Sequence, residues 1–218
     1  MSQVVTRHLP MEVEYFDALL EHSARMHRHL CPRQVLGVRM GLLAGRILGL
    51  DLPQTGKRLI TIVETDGCAA DAVSVATNCW VGRRTLRVED HGKVAATFAD
   101  SESGEAVRIV PRRSARWLAR KHAPEAMNKW QAYLLGYRQI SSQELFKTRP
   151  VVLNDPLEWI ISRPGMRIDC DACGEEIINE RELAVNGHVL CRACAGESYY
   201  SHIKAESARA AGPRARER

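Results

Sequence analysis

The sequence has 218 residues, of which 45% are hydrophobic and 26% are charged, and its formal net charge is +5. This composition is ordinary for a globular protein, and no apolar run approaches the roughly 20 residues that a membrane-spanning helix needs. Residues 1–10 lack the apolar core of a signal peptide, so we expect a cytoplasmic protein without a membrane partner.

Two helices are predicted in the first 50 residues. Residues 12–27 place apolar side chains on one side of a helix, and residues 35–50 are almost wholly apolar. The second segment carries a glycine at every fourth position: Gly37, Gly41, Gly45 and Gly49. Glycine costs about 1 kcal/mol in a helix relative to alanine. The stripe therefore predicts a buried core helix that another backbone approaches closely.

Between these helices lies the most informative segment, which we call the His/Cys motif: His27, His29 and Cys31, followed by Pro32. A proline favours extended backbone in the residue before it, and alternate side chains of an extended segment point the same way. Pro32 suits the first turn of the next helix, with Cys31 at its cap, where the helix dipole favours a thiolate. The motif predicts metal ligands or reactive groups. The alternative is a buried cysteine and two solvated histidines at a turn.

The following segment predicts strands and then helices. In order, the predicted elements are a strand at 58–64, a helix at 68–78, a hairpin of 85–89 with 94–99, a strand at 106–110, helices at 113–122 and 125–137, and a short helix capped by Ser141. Helices, then strands, then helices predict an α+β fold with a mainly antiparallel sheet.

The predicted helix at 68–78 carries further candidate ligands. At 100° per residue, Cys68, Asp71 and Cys79 share one face, which can meet the His/Cys motif. Imidazole and thiolate together suit Zn²⁺ or another transition metal, although each cysteine alternatively suits an apolar core. A carboxylate on a buried face needs a partner, so we expect Asp71 to orient a histidine ring N–H.

A basic run occupies residues 108–121, where Arg112, Arg116 and Arg120 are predicted to share a helical face. Such a run is usually a solvated face. The alternative is a contact with an acidic partner or with nucleic acid.

The C-terminal quarter contains the spacing Cys-x2-Cys-x17-Cys-x2-Cys, formed by Cys170, Cys173, Cys191 and Cys194. Four thiolates at this spacing predict a closed structural zinc site. Strands are predicted at 176–178 and 182–185, with a tight turn at Asn186-Gly187 and a helix over 195–207. The proline-containing residues 147–167 are predicted to be a connection.

Several of these motifs resemble the FmdE family, which takes its name from formylmethanofuran dehydrogenase. They are His-x-His-x-Cys-Pro before a glycine-containing helix, a glutamate before a Cys-x-x-Asp-Ala helix, and a Gly-Lys-x-Ala strand, all within residues 15–110. The cysteine-rich segment resembles the DksA/TraR-type treble-clef zinc finger. The resemblance implies an α+β core domain at 1–150 and a zinc finger at 165–206. The basic C-terminal residues 207–218 are predicted to be a disordered tail.

The resemblance also implies a homodimer and a cleft at the His/Cys motif that binds a small molecule or a partner protein. The family's motif residues correspond here to His27, His29, Cys31, Cys68, Asp71 and Cys79. The family usually has glycine where this chain has Arg28 and Arg33. Two added guanidiniums raise the positive potential there, which favours an anionic substrate; the alternative is that the chemistry of the family has changed in this chain.

The favoured hypothesis is a metal-binding FmdE-like protein with structural Zn²⁺ in the finger and a second transition metal in the core. It serves either as an accessory to a molybdenum or tungsten formylmethanofuran dehydrogenase-type system or as a small-molecule metalloenzyme. In the enzyme, Cys31, His29 and Asp71 are the candidate catalytic residues. The alternative is a zinc-finger transcriptional regulator that binds nucleic acid or RNA polymerase. The sequence leaves open whether the protein is an enzyme.

Overall fold

The structure is a computed structural model, and it describes residues 10–161 and 165–201. The chain divides into two compact units, Met1–Ile161 and Ser162–Arg218, which are described separately. The predicted tail and the end of the predicted finger lie outside the described residues. Within the described ranges, no helix combines the length and apolar character needed to cross a membrane.

The first unit combines helices with one sheet. Its helices are α1 (Pro10–His27), α2 (Pro32–Leu48), α3 (Cys68–Thr77), α4 (Ala115–His122), α5 (Lys129–Gln139), α6 (Ser142–Leu145) and α7 (Leu157–Ile160). Its strands are β1 (Leu59–Val63), β2 (Leu86–Val88), β3 (Ala96–Asp100), β4 (Ala106–Pro111) and β5 (Phe146–Pro150). The sheet order is β2-β1-β3-β4-β5, and only the β1–β2 pair is parallel. The predicted α+β fold with a mainly antiparallel sheet is confirmed.

The predicted hairpin of β2 with β3 is wrong, because these strands flank β1 on opposite sides. The intervening loop crosses the end of β1, where the backbone N–H groups of His91 and Lys93 donate to the carbonyl of Glu64. A strand as apolar as β1 is stabilised by neighbours on both edges. Both segments therefore pair with β1 and not with each other.

Close packing of α2 against α3 explains the first two glycines of the stripe. A Cβ at Gly37 would lie 2.5 Å from the carbonyl oxygen of Ala69, and one at Gly41 would lie 2.7 Å from the Cβ of Ala76. The predicted close approach is therefore confirmed. Gly49 has a different role, because its φ of +66° ends α2 in a left-handed cap.

Strand β5 falls where the sequence predicted a connection. It pairs antiparallel with β4, and four of its five side chains are exposed. An edge strand that is polar and ends in a proline has no apolar alternation to reveal it. Residues 146–150 therefore form the edge strand of the sheet and are not part of a connection.

The core of the first unit lies between the sheet and α2. This helix contacts α1, α3 and α5 and also the strands β3 and β4. The largest fully buried side chains include Phe98, Phe146, Leu20, Met40, Leu59 and Ile60. Burying each contributes about 1.5–3 kcal/mol, so the first unit has a hydrophobic core of its own.

The second unit contains two short antiparallel hairpins. Strand β6 (Arg167–Asp169) pairs with β7 (Glu176–Ile178), and β8 (Leu183–Val185) pairs with β9 (His188–Leu190). The predicted tight turn is confirmed, since Asn186 and Gly187 have φ values of +52° and +82°.

The predicted helix over 195–207 is wrong in its described part. A short helical turn, Ala193–Glu197, contains Gly196 at φ +100°, and Ser198 is extended. Glycine at positive φ ends helical structure readily.

Candidate metal centres

A tight reversal of the chain presents the His/Cys motif. Helix α1 ends at His27, and Arg28 adopts a left-handed φ of +64°. Cys31 then has extended backbone as the N-cap of α2, with Pro32 in the first turn. Both positions agree with the roles predicted for Cys31 and Pro32.

Gln34 stabilises this chain reversal through hydrogen bonds, and the sequence prediction missed this role. The backbone N–H of Cys31 donates to Oε1 of Gln34 at 2.7 Å, and Nε2 of Gln34 donates to the hydroxyl of Ser23 on α1 at 2.9 Å. Gln34 and Ser23 are completely buried. The signal was present as Cys-Pro-Arg-Gln, which has capping-box spacing with cysteine in the place of serine.

His27 lies between a thiol and a carboxylate of α3. Its Nδ1 is 2.8 Å from Oδ2 of Asp71, and its Nε2 is 2.9 Å from Sγ of Cys68. Cys68 is the first residue of α3, after Gly67 at φ +80°. A carboxylate on one ring nitrogen fixes the tautomer and aims the other nitrogen at a metal or a thiol. The structure thus gives Asp71 the histidine partner that we expected.

Three donors converge at this place: one ligand atom each from His27, His29 and Cys68, all within 4.8 Å of one another. The two imidazole rings are 4.7 Å apart between centroids. His29 is exposed, whereas His27 and Cys68 are partly buried. Two imidazoles and one thiolate form a ligand set that suits zinc or a similar transition metal.

Cys31 lies next to this group of donors without belonging to it. The residue is 7% exposed, and its thiol interacts with that of Cys68. Burial raises the pKa of the Cys68 thiol, and the neighbouring thiol of Cys31 raises it further. Arg33 opposes this shift by favouring the thiolate.

Cys79 requires a correction, because the structure does not bring it to the predicted site. Helix α3 ends at Thr77, and Asn78 adopts a left-handed φ of +58°. The helical spacing used in the prediction therefore does not reach Cys79. Its side chain is 1% exposed in the core, and its thiol donates to the carbonyl of Leu59 at 3.3 Å. It is the small apolar core residue of the alternative interpretation.

A partly buried ion pair joins Glu64, four residues before Cys68, to Arg108 of β4. Arg108 binds both carboxylate oxygens of Glu64, with Nη2 at 2.7 Å from Oε2. This bidentate pair lowers the pKa of Glu64, and Lys93 and His91 lower it further. The pair joins β1 to β4 just before the turn that leads into α3.

The four C-terminal cysteines form the second centre. One ligand atom each from Cys170, Cys173, Cys191 and Cys194 lies within 4.8 Å of the others. The backbone N–H of Cys191 donates to the sulfur of Cys170 at 3.2 Å. Backbone N–H groups of Cys191 and Cys173 lower the pKa of Cys170 to about 6, which favours the thiolate that a metal binds. The cluster fits a structural zinc ion.

Fold and donor groups together define a two-unit metal-binding protein with a four-thiolate finger. Residues 26–159 match the model of the FmdE family, whose description reads "FmdE, Molybdenum formylmethanofuran dehydrogenase operon". Residues 165–200 match the prokaryotic DksA/TraR C4-type zinc finger. The chain belongs to the FmdE family and carries this finger.

One relative is similar in sequence along most of this chain. A protein of Archaeoglobus fulgidus named "Probable S-adenosyl-L-methionine-binding protein" is 31% identical over 208 residues. The match covers 85% of this chain but 54% of that protein, so the chain spans about half the length of this relative.

A solved structure shares the fold. It is the crystal structure of a tungsten formylmethanofuran dehydrogenase FmdE-like protein from Syntrophus aciditrophicus, with a TM-score of 0.54 and 23% identity. The match covers 85% of this chain and 95% of the other.

Proposed function

We propose that this FmdE-family protein binds a transition metal in its first unit, through His27, His29 and Cys68, in addition to the zinc of the finger. The observation that carries the proposal is the convergence of these three donors within 4.8 Å. The contact of Asp71 with Nδ1 of His27 supports it, because such a carboxylate is typical of metal-binding histidines.

The number of donors distinguishes the two centres. Three protein ligands are typical of catalytic zinc sites, whereas four thiolates are typical of closed structural sites. A metal bound to three protein groups supplies Lewis-acid chemistry to a substrate. Asp71 holds the His27 ring in one orientation, and Cys31 provides the nearest additional thiol. We therefore propose the core as the reactive centre and the finger as the structural one.

Metal analysis of the purified full chain tests the proposal. We expect two metals per chain in the natural protein, and one in each of Cys68→Ser and Cys173→Ser. Cys79→Ala is the matched control, because this thiol is buried away from the donors. It retains both metals. A core metal is contradicted if the natural chain binds one metal, Cys173→Ser loses it, and the double variant Cys68→Ser with His27→Ala retains it.

We further propose that a small molecule binds at the core centre, and S-adenosyl-L-methionine is the first candidate because the archaeal relative is named for it. Calorimetric titration of the metal-loaded chain checks this proposal, with Cys68→Ser for comparison. Binding that requires Cys68 supports a small-molecule metalloenzyme. Absence of binding by the natural chain contradicts this candidate. The other proposal, an accessory role for a molybdenum or tungsten dehydrogenase system, rests on the family description.

Homodimerisation is a separate proposal, supported by the family resemblance. Light scattering tests it, since one chain has a mass of 24.4 kDa. A particle of twice that mass is expected, and a single-chain mass at all concentrations contradicts it.

The nucleic-acid alternative retains one supporting feature, the outward face of α4. Arg116, Trp117, Arg120 and Lys121 are all exposed on this helix, and the ammonium of Lys121 lies 5.5 Å from the Trp117 ring centroid. Arg112 is not part of this face, because α4 begins at Ala115. Gel-shift titration tests the alternative. Binding must weaken steeply as the salt concentration rises, and it must also weaken in the double variant Arg116→Glu with Arg120→Glu. No shift at low salt contradicts it.

A further inference from the structure

A buried guanidinium without a carboxylate lies on α2. Arg39 is 9% exposed, and its Nη1 donates to the carbonyl of Tyr137 at the end of α5. Its Nη2 donates to the hydroxyl of Ser142 at 3.2 Å, and its guanidinium lies 6.0 Å from the Phe146 ring centroid. In the part of the chain that the structure describes, Arg39 forms no ion pair. Buried charges are ordinarily paired.

A second guanidinium converges on the same hydroxyl. Arg46 lies seven positions further along α2, which returns to the same face of the helix. Its Nη2 donates to the Ser142 hydroxyl at 3.3 Å, and its side chain is exposed. Burial lowers the pKa of Arg39 to about 10, and repulsion from Arg46 contributes to this shift. Two like charges are therefore held together at one hydroxyl.

The nearest acidic side chain along α6 is already engaged. Glu144 accepts a hydrogen bond from the Ser141 hydroxyl at 2.8 Å, at the N-terminus of α6. Within the described ranges, neither Arg39 nor Arg46 forms an ion pair with it or with any other carboxylate. The positive charge of the pair is consequently not balanced by these residues.

We propose that Arg39, Arg46 and Ser142 form a binding site for a tetrahedral oxyanion, such as inorganic phosphate or the phosphate group of a small molecule. Guanidinium groups present several N–H donors in a planar fork that matches phosphate oxygens. The Ser142 oxygen accepts from both arginines, so its own O–H remains to donate to a bound anion.

This site is separate from the proposed core metal. Arg39 lies eight residues beyond the Cys31 cap, or about 12 Å along the helix axis at 1.5 Å per residue. It is also distinct from Arg28 and Arg33, the arginines for which the sequence predicted an effect on an anionic substrate. The two proposals can therefore fail independently.

Calorimetric titration of the full chain with inorganic phosphate, with ionic strength held constant by sodium chloride, tests the site. We expect saturable binding by the natural chain. In Arg46→Gln and in Ser142→Ala the affinity falls about tenfold or more, the loss expected for a hydrogen bond to a charged group. Arg46 is exposed, so its replacement leaves the core unchanged.

Lys57→Gln is the matched control, because it removes an equal charge from an exposed position outside α2, α5 and α6. Its phosphate affinity remains that of the natural chain. Absence of saturable binding by the natural chain overturns the proposal. Equal affinity in Arg46→Gln and the natural chain also overturns it, because the anion then binds elsewhere.

Discussion

Arg28 adopts a conformation that suits glycine at the point where α1 gives way to the His/Cys motif. Its φ of +64° lies in the left-handed region, which a residue with a Cβ enters at a cost of about 1–2 kcal/mol. The family resemblance implies glycine at this position and at that of Arg33. Only the first position needs glycine for its backbone, because Arg33 lies in the first turn of α2.

Replacing Arg28 by glycine is predicted to stabilise the protein. We expect Arg28→Gly to raise the free energy of unfolding by about 0.5–1 kcal/mol, because relief of the strain exceeds the greater entropy of unfolded glycine. Arg33→Gly is the comparison and is predicted to be destabilising, since glycine is unfavourable in a helix. Urea unfolding measures both. A less stable Arg28→Gly protein contradicts the explanation.

The buried carboxylate of Asp100 predicts a pH-dependent contribution to stability. Asp100 is 1% exposed and binds Arg58 through two hydrogen bonds of 2.8 Å. This pairing, supported by the Glu102 backbone N–H and the Ser103 hydroxyl, holds the pKa of Asp100 well below its usual range. Its contribution is therefore complete above the unfolded pKa of about 4 and decreases as the pH falls toward the folded pKa.

Asp100→Asn is expected to lower the free energy of unfolding by about 2 kcal/mol at neutral pH. The difference in the free energy of unfolding between Asp100→Asn and the natural protein becomes smaller as the solution is acidified below about pH 4. Urea unfolding at several pH values measures this effect, with Asp51→Asn at an exposed position as the control. A difference that does not change with pH contradicts the assigned pairing.

At the scale of elements, contact between α2 and α3 places Cys31, the N-cap of α2, beside the ligand Cys68 at the start of α3. The backbones approach at Gly37, where no space exists for a methyl group beside Ala69 and Ala72. This contact lies near the start of both helices, which carry Cys31 and Cys68 at their N-termini.

Gly37→Ala is predicted to cost about 2 kcal/mol in stability through overpacking. Gly82→Ala is the control, because a Cβ there meets no atom within 4 Å and glycine's special backbone freedom is not required. It is expected to change stability by less than about 0.5 kcal/mol. Thermal or urea unfolding distinguishes the two, and equal effects contradict the close-packing account.

Most helices and strands could be predicted because each carries a local signal: an apolar side, a cap or a glycine turn. The neighbours of β1 could not be predicted. The loop between β2 and β3 suggested a hairpin, whereas both strands form their backbone hydrogen bonds with the two edges of β1. Strand β5 was missed for a related reason. Its side chains are mostly exposed, so its pairing with β4 leaves no pattern in the sequence.

At the scale of the whole molecule, the core site also combines features that have a local signal in the sequence with features that depend on tertiary contacts. The alternation of the His/Cys motif predicted a cluster, and α3 supplies Cys68 and Asp71 to it. Cys79 was misplaced because helical spacing was extended two residues beyond Thr77, the real end of α3. The buried contacts of Gln34 depend on tertiary neighbours, so its capping-box spacing alone did not show its role.

The finger unit has little apolar core. Among its described residues only Cys170 and Ile177 are buried. We therefore predict that a zinc chelator abolishes protection from hydrogen exchange across residues 165–201 of the full chain, while the core strands of the first unit remain protected. Metal supplies much of the folding free energy in small zinc modules. Cys173→Ser is expected to give the same pattern, and full protection after chelation contradicts a structural zinc.

The most direct test of the core metal is anomalous scattering at the zinc edge from crystals of the full chain. The account predicts two peaks per chain. One lies among the four finger cysteines, and the other lies about 2.0–2.1 Å from a histidine nitrogen and about 2.3 Å from the sulfur of Cys68. A single peak in the finger, from protein loaded with excess zinc, would contradict the core site.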